Sequence, residues 1–171
     1  MHRAIRVASL FTLLIGLGIY GVRSQRTPEQ EELRTYVEIS LPLLASTETR
    51  IDQKMTQLGR VPGLPPEAAR RLLVDDIIPN LLALRSQSNE RKFQTLAVIG
   101  LQHAYDEVVL AQIEACRTSV RVIDNSKLDT ETAMAKVKRA FADAGIKRAA
   151  WKTQLAQTCA AHGLVQPSAA N

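Results

Sequence analysis

The sequence predicts an all-α protein, in which an N-terminal membrane-targeting helix precedes an antiparallel bundle of about four to five helices, some of them kinked by proline. Aromatic residues make up only 4% of the 171 residues, so the core must be built from Leu, Ile, Val and Ala, which suit helices better than sheets. Apolar residues recur mostly at steps of three, four or seven, as in amphipathic helices. No segment shows the strict alternation of a half-buried β-strand.

The first 26 residues contain a long apolar run, 16 consecutive residues without a charge from residue 7 to residue 22. As a helix the run spans about 24 Å, less than the ~30 Å hydrocarbon core. Snorkelling of Arg6 and Arg23, or local thinning of the bilayer, can cover the deficit. The arginines that flank the run are Arg3, Arg6, Arg23 and Arg26.

We expect residues 1–26 to bind membrane lipid as a single-pass anchor. The alternative is a signal peptide cleaved after Ser24, which leaves a secreted protein. The N-terminal segment contains four arginines and no acidic residue, which is also compatible with a mitochondrial presequence. No second apolar run of comparable length follows, so we expect residues 27–165 to form one exported helical domain, on the periplasmic side of the membrane.

The distribution of charge argues against nucleic acid as a partner. The chain has 22 basic and 17 acidic residues, a net charge of +5, and all 17 acidic residues follow residue 26. Without the four arginines that flank the apolar run, 18 basic residues stand against 17 acidic ones. A nearly neutral domain has no strong field for phosphate groups.

The first helix of the domain is predicted to begin at Pro28. Thr27 is placed as its N-cap, Pro28 at the first helical position, and Gln30 as the residue that closes a capping box. Pro42 lies within the apolar periodicity that follows. A proline inside a helix removes one hydrogen bond and clashes with the preceding turn, so we expect a kink near residues 38–42.

The second helix follows a Gly- and Pro-rich stretch at residues 59–66. Pro66 is predicted at its first helical position, and Pro79 lies two-thirds of the way along it. The residues before the two internal prolines are similar, Val37-Glu-Ile-Ser-Leu-Pro42 and Val74-Asp-Asp-Ile-Ile-Pro79. Six aligned positions do not establish a duplication, and we interpret the similarity as a coincidence.

A third helix is predicted from Ser88 or Asn89 to about Asp124. Its inner face is expected to contain many small residues, so that a neighbouring helix approaches closely, in particular at Gly100. The predicted inner face consists of Phe93, Leu96, Ala97, Gly100, Ala104, Val108, Ala111 and Ala115.

Two further helices are predicted after a turn at residues 125–128. Asp129 is placed as the N-cap of a helix over residues 130–144, which Gly145 ends. Residues 147–162 form the last helix, stopped by Gly163. Residues 166–171 are expected to be a disordered tail.

Cys116 and Cys159 predict a disulfide. Disulfides are common in exported proteins, and this one would close a loop of about 43 residues, with a stabilisation of about 3–4 kcal/mol from the lost loop entropy. Two buried thiols are the alternative.

The C-terminal part of the domain is basic. Residues 127–152 contain seven basic and three acidic residues, whereas residues 28–114 contain nine basic and 13 acidic ones. The basic residues form either a solvated face that offsets the acidic part, or a docking face for anionic headgroups or an acidic partner. The predicted docking residues are Lys136, Lys138, Arg139, Lys147, Arg148 and Lys152.

The sequence contains no P-loop, H-E-x-x-H, G-x-S-x-G or EF-hand pattern. We therefore expect no enzymatic activity and identify no catalytic residue, no cofactor-binding residue and no metal ligand. The sequence favours a membrane-anchored interaction or scaffold protein that works with other proteins of a cell-envelope assembly. The alternative is a periplasmic ligand-binding or sensory helical bundle.

Overall fold

The computed structural model describes residues 26–60, 64–125 and 129–164. These residues form four helices, α1 to α4, and no β-strand, which confirms the all-α prediction. Helices α1 and α2 each consist of three continuous segments with a π-helical segment in the middle. The segments are Pro28–Thr35, Tyr36–Ser40 and Leu41–Arg60 in α1, and Pro66–Arg71, Leu72–Ile77 and Ile78–Glu90 in α2; α3 is Leu96–Asp124 and α4 is Thr130–Ala161.

Within the described ranges, no helix is both long enough and apolar enough to span a bilayer. The predicted anchor, with Arg3, Arg6 and Arg23, lies outside the described residues, as does the predicted tail at residues 166–171. Arg26 is described and exposed.

The helices alternate in direction, as in an up-down-up-down bundle. In each pair of neighbouring helices, residues with higher numbers in one helix contact residues with lower numbers in the other. The pairs are Thr47 with Gln87 and Lys54 with Asp76 between α1 and α2, Arg85 with Asp106 and Arg70 with Asp124 between α2 and α3, and Gln30 with His162 and Glu48 with Arg148 between α1 and α4.

The core is divided into two clusters. The central cluster draws buried residues from α1, α2 and α3, and partly buried Phe141 and Trp151 of α4 pack against it. The end cluster contains residues of α1, α3 and α4 only: Leu33, Tyr36, Val37, Val98, Leu101, Leu155 and Cys159. Helix α2 is therefore too short to cover the first turns of α1.

Both internal prolines follow π-helical segments, and the chain stays helical through them. The N–H of Leu41 bonds to the carbonyl of Tyr36, and the N–H of Ile78 to that of Leu73, five residues back in each case. The wider turn relieves the clash that a proline ring makes with the preceding turn. The interruption expected at residues 38–42 thus takes the form of a π-helical segment, and the similar sequences before the two prolines adopt the same local structure.

The predicted start of α3 at Ser88 or Asn89 is wrong, because α2 continues to residue 90. The side chains of Ser88 and Asn89 both donate a hydrogen bond to the carbonyl of Arg85, three and four residues back, as is common in the last turn of a helix. The side-chain amide of Gln102 then donates to the carbonyls of Ser88 and Arg91. The last carbonyl groups of α2 are satisfied by a long-range contact that local sequence does not reveal.

The predicted inner face of α3 is confirmed only in part. Val108 and Ala115 are buried as predicted, but in the first part of the helix the buried residues are Val98, Leu101 and Tyr105, one position on from those predicted. Leu96 is almost fully exposed. A Cβ at Gly100 would meet only the side-chain nitrogen of Gln154, at 3.6 Å, an ordinary contact. The helices therefore do not approach unusually closely at Gly100.

Helix α4 continues through Gly145, so the predicted fourth and fifth helices are one helix of 32 residues. A single glycine costs a helix only about 1 kcal/mol. The buried positions on both sides, Ala144 and Leu155, keep the helix on the bundle, and tertiary packing outweighs that local cost.

The predicted helix ends are confirmed where side chains cap the backbone. Thr27 and Gln30 form the reciprocal capping box, and the Asp129 carboxylate accepts from the N–H of Thr132 at 2.8 Å. Gly163 ends α4 with a φ of +66°, a left-handed conformation that favours glycine.

A carboxylate of α1 caps the start of α3. The Glu32 side chain accepts from the backbone N–H groups of Gln94 and Thr95, at 2.8 to 3.0 Å, and from the Thr95 hydroxyl at 2.7 Å. Negative charge is stabilised at a helix N-terminus by the unpaired N–H groups and the helix dipole. This contact joins α1 to α3 beyond the reach of α2.

The substitution Gly145→Ala is expected to raise the free energy of unfolding by about 0.5–1 kcal/mol, because alanine has less backbone entropy than glycine to lose when the unfolded chain becomes helical. No atom lies within 4 Å of the added Cβ. Gly163→Ala is the matched control and should destabilise by about 1 kcal/mol, because of its positive φ. Chemical denaturation measures both, and a loss of stability in Gly145→Ala would contradict the continuous α4.

The substitution Glu32→Gln is expected to lower the melting temperature near neutral pH. Hydrogen bonds from Thr95, and then from Gln94, hold the pKa of the Glu32 carboxyl below its ordinary value of 4.5. A carboxyl group whose pKa is lower in the folded state than in the unfolded state stabilises the fold at pH values above its unfolded-state pKa. This stabilisation is lost as the pH falls through the folded-state pKa.

The difference in melting temperature between the wild type and Glu32→Gln should therefore narrow below a pH of about 4.5. Glu31→Gln is the control, because Glu31 is exposed and its carboxylate contacts no donor among the described residues. If the difference in melting temperature between the wild type and Glu32→Gln did not change with pH, the result would contradict the capping role of Glu32.

Candidate interaction surface

Two of the six predicted docking residues are engaged inside the bundle. The Nζ of Lys147 lies 2.9 Å from a carboxylate oxygen of Glu107 on α3, and an Nη of Arg148 lies 3.5 Å from one of Glu48 on α1. These pairs join the basic C-terminal part of the domain to the acidic N-terminal part. Lys147 and Arg148 therefore connect helices through partly exposed ion pairs.

The other four residues are exposed but do not share one face. Successive helical residues are 100° apart, so Lys136 and Lys138 diverge by about 200°. Lys136 and Arg139 lie beside a groove between α3 and α4, whereas Lys138 and Lys152 are not among the residues that line it. The structure thus places Lys136 and Arg139 together at this groove, and Lys138 and Lys152 outside it.

The groove between α3 and α4 combines cations with an apolar side chain. It is shallow, with a volume of about 600 Å³, and Ile146 in its wall is 68% exposed. Asp143 is the acidic residue in the wall. We call this surface the α4 groove; its lining residues are Thr118, Lys136, Arg139, Ala140, Ala142, Asp143 and Ile146.

Ile146 and Thr118 were not predicted from the sequence. An isoleucine between a glycine and a lysine carries a weak signal, which the expected helix end at Gly145 concealed. Thr118 lies on another helix and joins the groove through packing alone. An exposed apolar side chain together with charged ones offers both kinds of contact that protein interfaces use, an apolar centre and a polar rim.

Polar atoms are also buried beneath the surface. The hydroxyl of Tyr105 and the Nε1 of Trp151 have no hydrogen-bond partner among the described residues, and the two rings lie 5.0 Å apart. Tyr36 donates to the carbonyl of Leu101 at 3.5 Å. Burial raises the pKa of the Tyr105 hydroxyl, and the Glu48 carboxylate raises it further. Both tyrosines are therefore neutral and pack in the core.

A second cleft opens between α1 and α2, where α2 ends. It has a volume of about 510 Å³, and the Ser40 hydroxyl in its wall is buried without a partner among the described residues. The lining residues are Tyr36, Ser40, Leu43, Leu44, Gln87, Ser88, Glu90 and Arg91.

The acidic residues of α3 are committed to ion pairs. Burial raises the pKa of the Asp106 carboxyl, but hydrogen bonds from Arg85 and Asn89 outweigh it and hold that pKa below its usual range. A hydrogen bond from Lys147 lowers the pKa of the Glu107 carboxyl. In the described ranges no three His, Cys, Asp or Glu side chains are grouped to hold a metal.

The predicted disulfide between Cys116 and Cys159 does not form, since both thiols are free and buried. Cys116 packs in the central cluster, beside Ala144, and Cys159 in the end cluster. Ala144 and Cys159 are fifteen residues apart on α4, about 22 Å at the rise of a helix. The two Cα atoms of a disulfide lie only about 4.4–6.8 Å apart.

No family model, curated protein or solved structure matches this chain.

Both cysteines are expected to resist a thiol reagent in the folded protein near neutral pH. They are buried, and burial raises the pKa of Cys116 to about 11 and that of Cys159 above its usual value, so little reactive thiolate is present. Mass spectrometry should find no adduct on the native protein and two adducts after denaturation without reductant. A native mass that gains two hydrogens on reduction would instead demonstrate a disulfide.

Proposed function

We propose that this chain is a non-enzymatic interaction protein, held at a membrane by residues 1–26 with its helical domain on the exported, periplasmic side, where it binds an acidic segment of another cell-envelope protein. The observation that carries the proposal is the α4 groove. There two cations, Lys136 and Arg139, line the same groove as the exposed Ile146, ten and seven residues before it on α4.

The chemistry of the groove favours a peptide with carboxylates on one side of an apolar residue, about 10–15 Å from it. Arginine binds a carboxylate through two parallel N–H groups, and lysine adds a mobile positive charge. An apolar side chain of the partner can cover Ile146 and bury apolar surface, as in the centre of protein interfaces. Asp143 in the groove wall repels segments that are uniformly acidic, which adds selectivity.

The membrane part of the proposal depends on the apolar run at residues 7–22 and its flanking arginines. Cleavage after Ser24 is the alternative and would release the same domain. The N-terminal sequence of the mature protein, obtained by Edman degradation, distinguishes an anchor that begins near Met1 from a secreted form that begins at Gln25.

Ligand binding is a second candidate function, which one observation favours. The cleft between α1 and α2 contains the unpartnered hydroxyl of Ser40 and exposes Leu43, so it offers a polar contact and an apolar wall to a small molecule. Native mass spectrometry would support this function by extra mass that is lost on denaturation, and a bare chain would count against it.

The docking proposal is tested by a photoreactive amino acid at position 146 of the full chain in its native membranes. We expect light to join the chain to one protein of the envelope. The double substitution Lys136→Glu with Arg139→Glu should reduce that adduct about tenfold, which corresponds to ~1.4 kcal/mol of lost affinity, because it places like charges against the partner.

The matched control is Lys138→Glu with Lys152→Glu. It makes the same change in net charge at two exposed residues outside the groove, and the adduct should persist. An equal loss in both double variants would show a general effect of charge, and the absence of any adduct in the wild type would refute the groove as a binding site.

A further inference from the structure

One end of the bundle carries exposed apolar side chains next to the point where the described chain begins. Leu96 is 86% exposed, the most exposed of the large apolar residues that are described, and Ile99 is 39% exposed. We propose that this end of the bundle rests on the lipid surface, with Leu96 and Ile99 in the interfacial layer. The inference rests on the proposed membrane anchor at residues 1–26.

The position of Leu96 relative to the start of the domain follows from the contacts between the helices. Glu32 of α1 binds Thr95, the residue before Leu96, at 2.7 Å. Arg26 precedes Glu32 by six residues, about 9 Å at the rise of a helix. Gln30 of α1 bonds to the carbonyl of His162 at 3.3 Å. The start of α1, the start of α3 and the end of α4 therefore form one end of the bundle.

This end faces the bilayer if residues 1–26 are anchored in it. The chain between the apolar run and Thr27 is only four residues long, from Arg23 to Arg26, and four residues extend at most about 14 Å. The domain is thus held near the headgroups, and the end that carries Arg26 is the part of it that lies nearest.

The apolar pair on α3 is suited to lipid. Leu96 and Ile99 are three positions apart and lie on one side of the helix. Leucine and isoleucine at the interface insert between headgroups and bury apolar surface, as in helices that lie on membranes. The exposed Arg91 and Lys92 in the connection before α3 can extend their charged ends to the headgroups.

Charge alone does not drive this contact. The basic residues of the end, Arg26, Arg91 and Lys92, are matched by acidic ones, namely Glu29, Glu31, Glu32 and Glu90. Glu32 is committed to its cap and Glu29 lies 4.0 Å from His162. We therefore expect lipid contact on zwitterionic membranes as well as on anionic ones, through the apolar side chains.

The experiment uses the full chain in phosphatidylcholine vesicles, with Leu96→Cys labelled by an environment-sensitive fluorophore. The exposure of Leu96 lets the substitution leave the fold intact, and the buried native cysteines stay unlabelled. Met134→Cys is the matched control, because Met134 is 49% exposed but lies 28 residues before His162, about 42 Å further along α4.

We expect the label at position 96 to emit at shorter wavelength and to lose its fluorescence to nitroxide-labelled lipids, while the label at position 134 does neither. If the protein floats with the vesicles but both labels behave as in water, the inference is wrong and the anchor stands. If the protein does not float with vesicles at all, the proposed anchor is wrong, and the inference fails with it. Quenching at both positions would also refute it, because the whole domain would then lie flat on the lipid.

Discussion

The arrangement of the bundle depends on how α1 is held where α2 no longer reaches it. A four-helix bundle normally covers each helix with two neighbours, but α2 does not reach the first turns of α1, which pack against α3, α4 and Phe93 of the connection before α3. Leu33 and Tyr36 supply the apolar contacts of these turns. The Glu32 carboxylate fixes the start of α1 against the start of α3, because it accepts hydrogen bonds from the unpaired N–H groups there. The short α2 then leaves the cleft beside Ser40 open.

Charge in this protein serves two different purposes on one helix. Lys147 and Arg148 pair with carboxylates of α3 and α1 and so join α4 to the acidic part of the domain. Lys136 and Arg139 are combined with an apolar residue in the α4 groove, and such a combination gives a surface more selectivity than charge alone.

The two proposals place the membrane and the partner at different parts of the molecule. Ile146 and Lys136 precede His162 by 16 and 26 residues on α4, about 24 and 39 Å along the helix. A domain that rests on lipid by the end near Arg26 would present its α4 groove away from the headgroups. This separation suits a protein that holds a partner at a set distance from the bilayer.

Short-range signals were sufficient for the helical class, for the caps at Thr27, Asp129 and Gly163, and for the location of the irregularity before Pro42, because each depends on the backbone within one or two turns. Packing decided the rest. Gly145 stays helical because α4 is buried on both sides of it, and α3 begins late because Gln102 and Glu32 satisfy distant backbone groups. The separation of Cys116 from Cys159 and the assembly of the α4 groove depend on the register between helices, which periodicity within one helix does not contain.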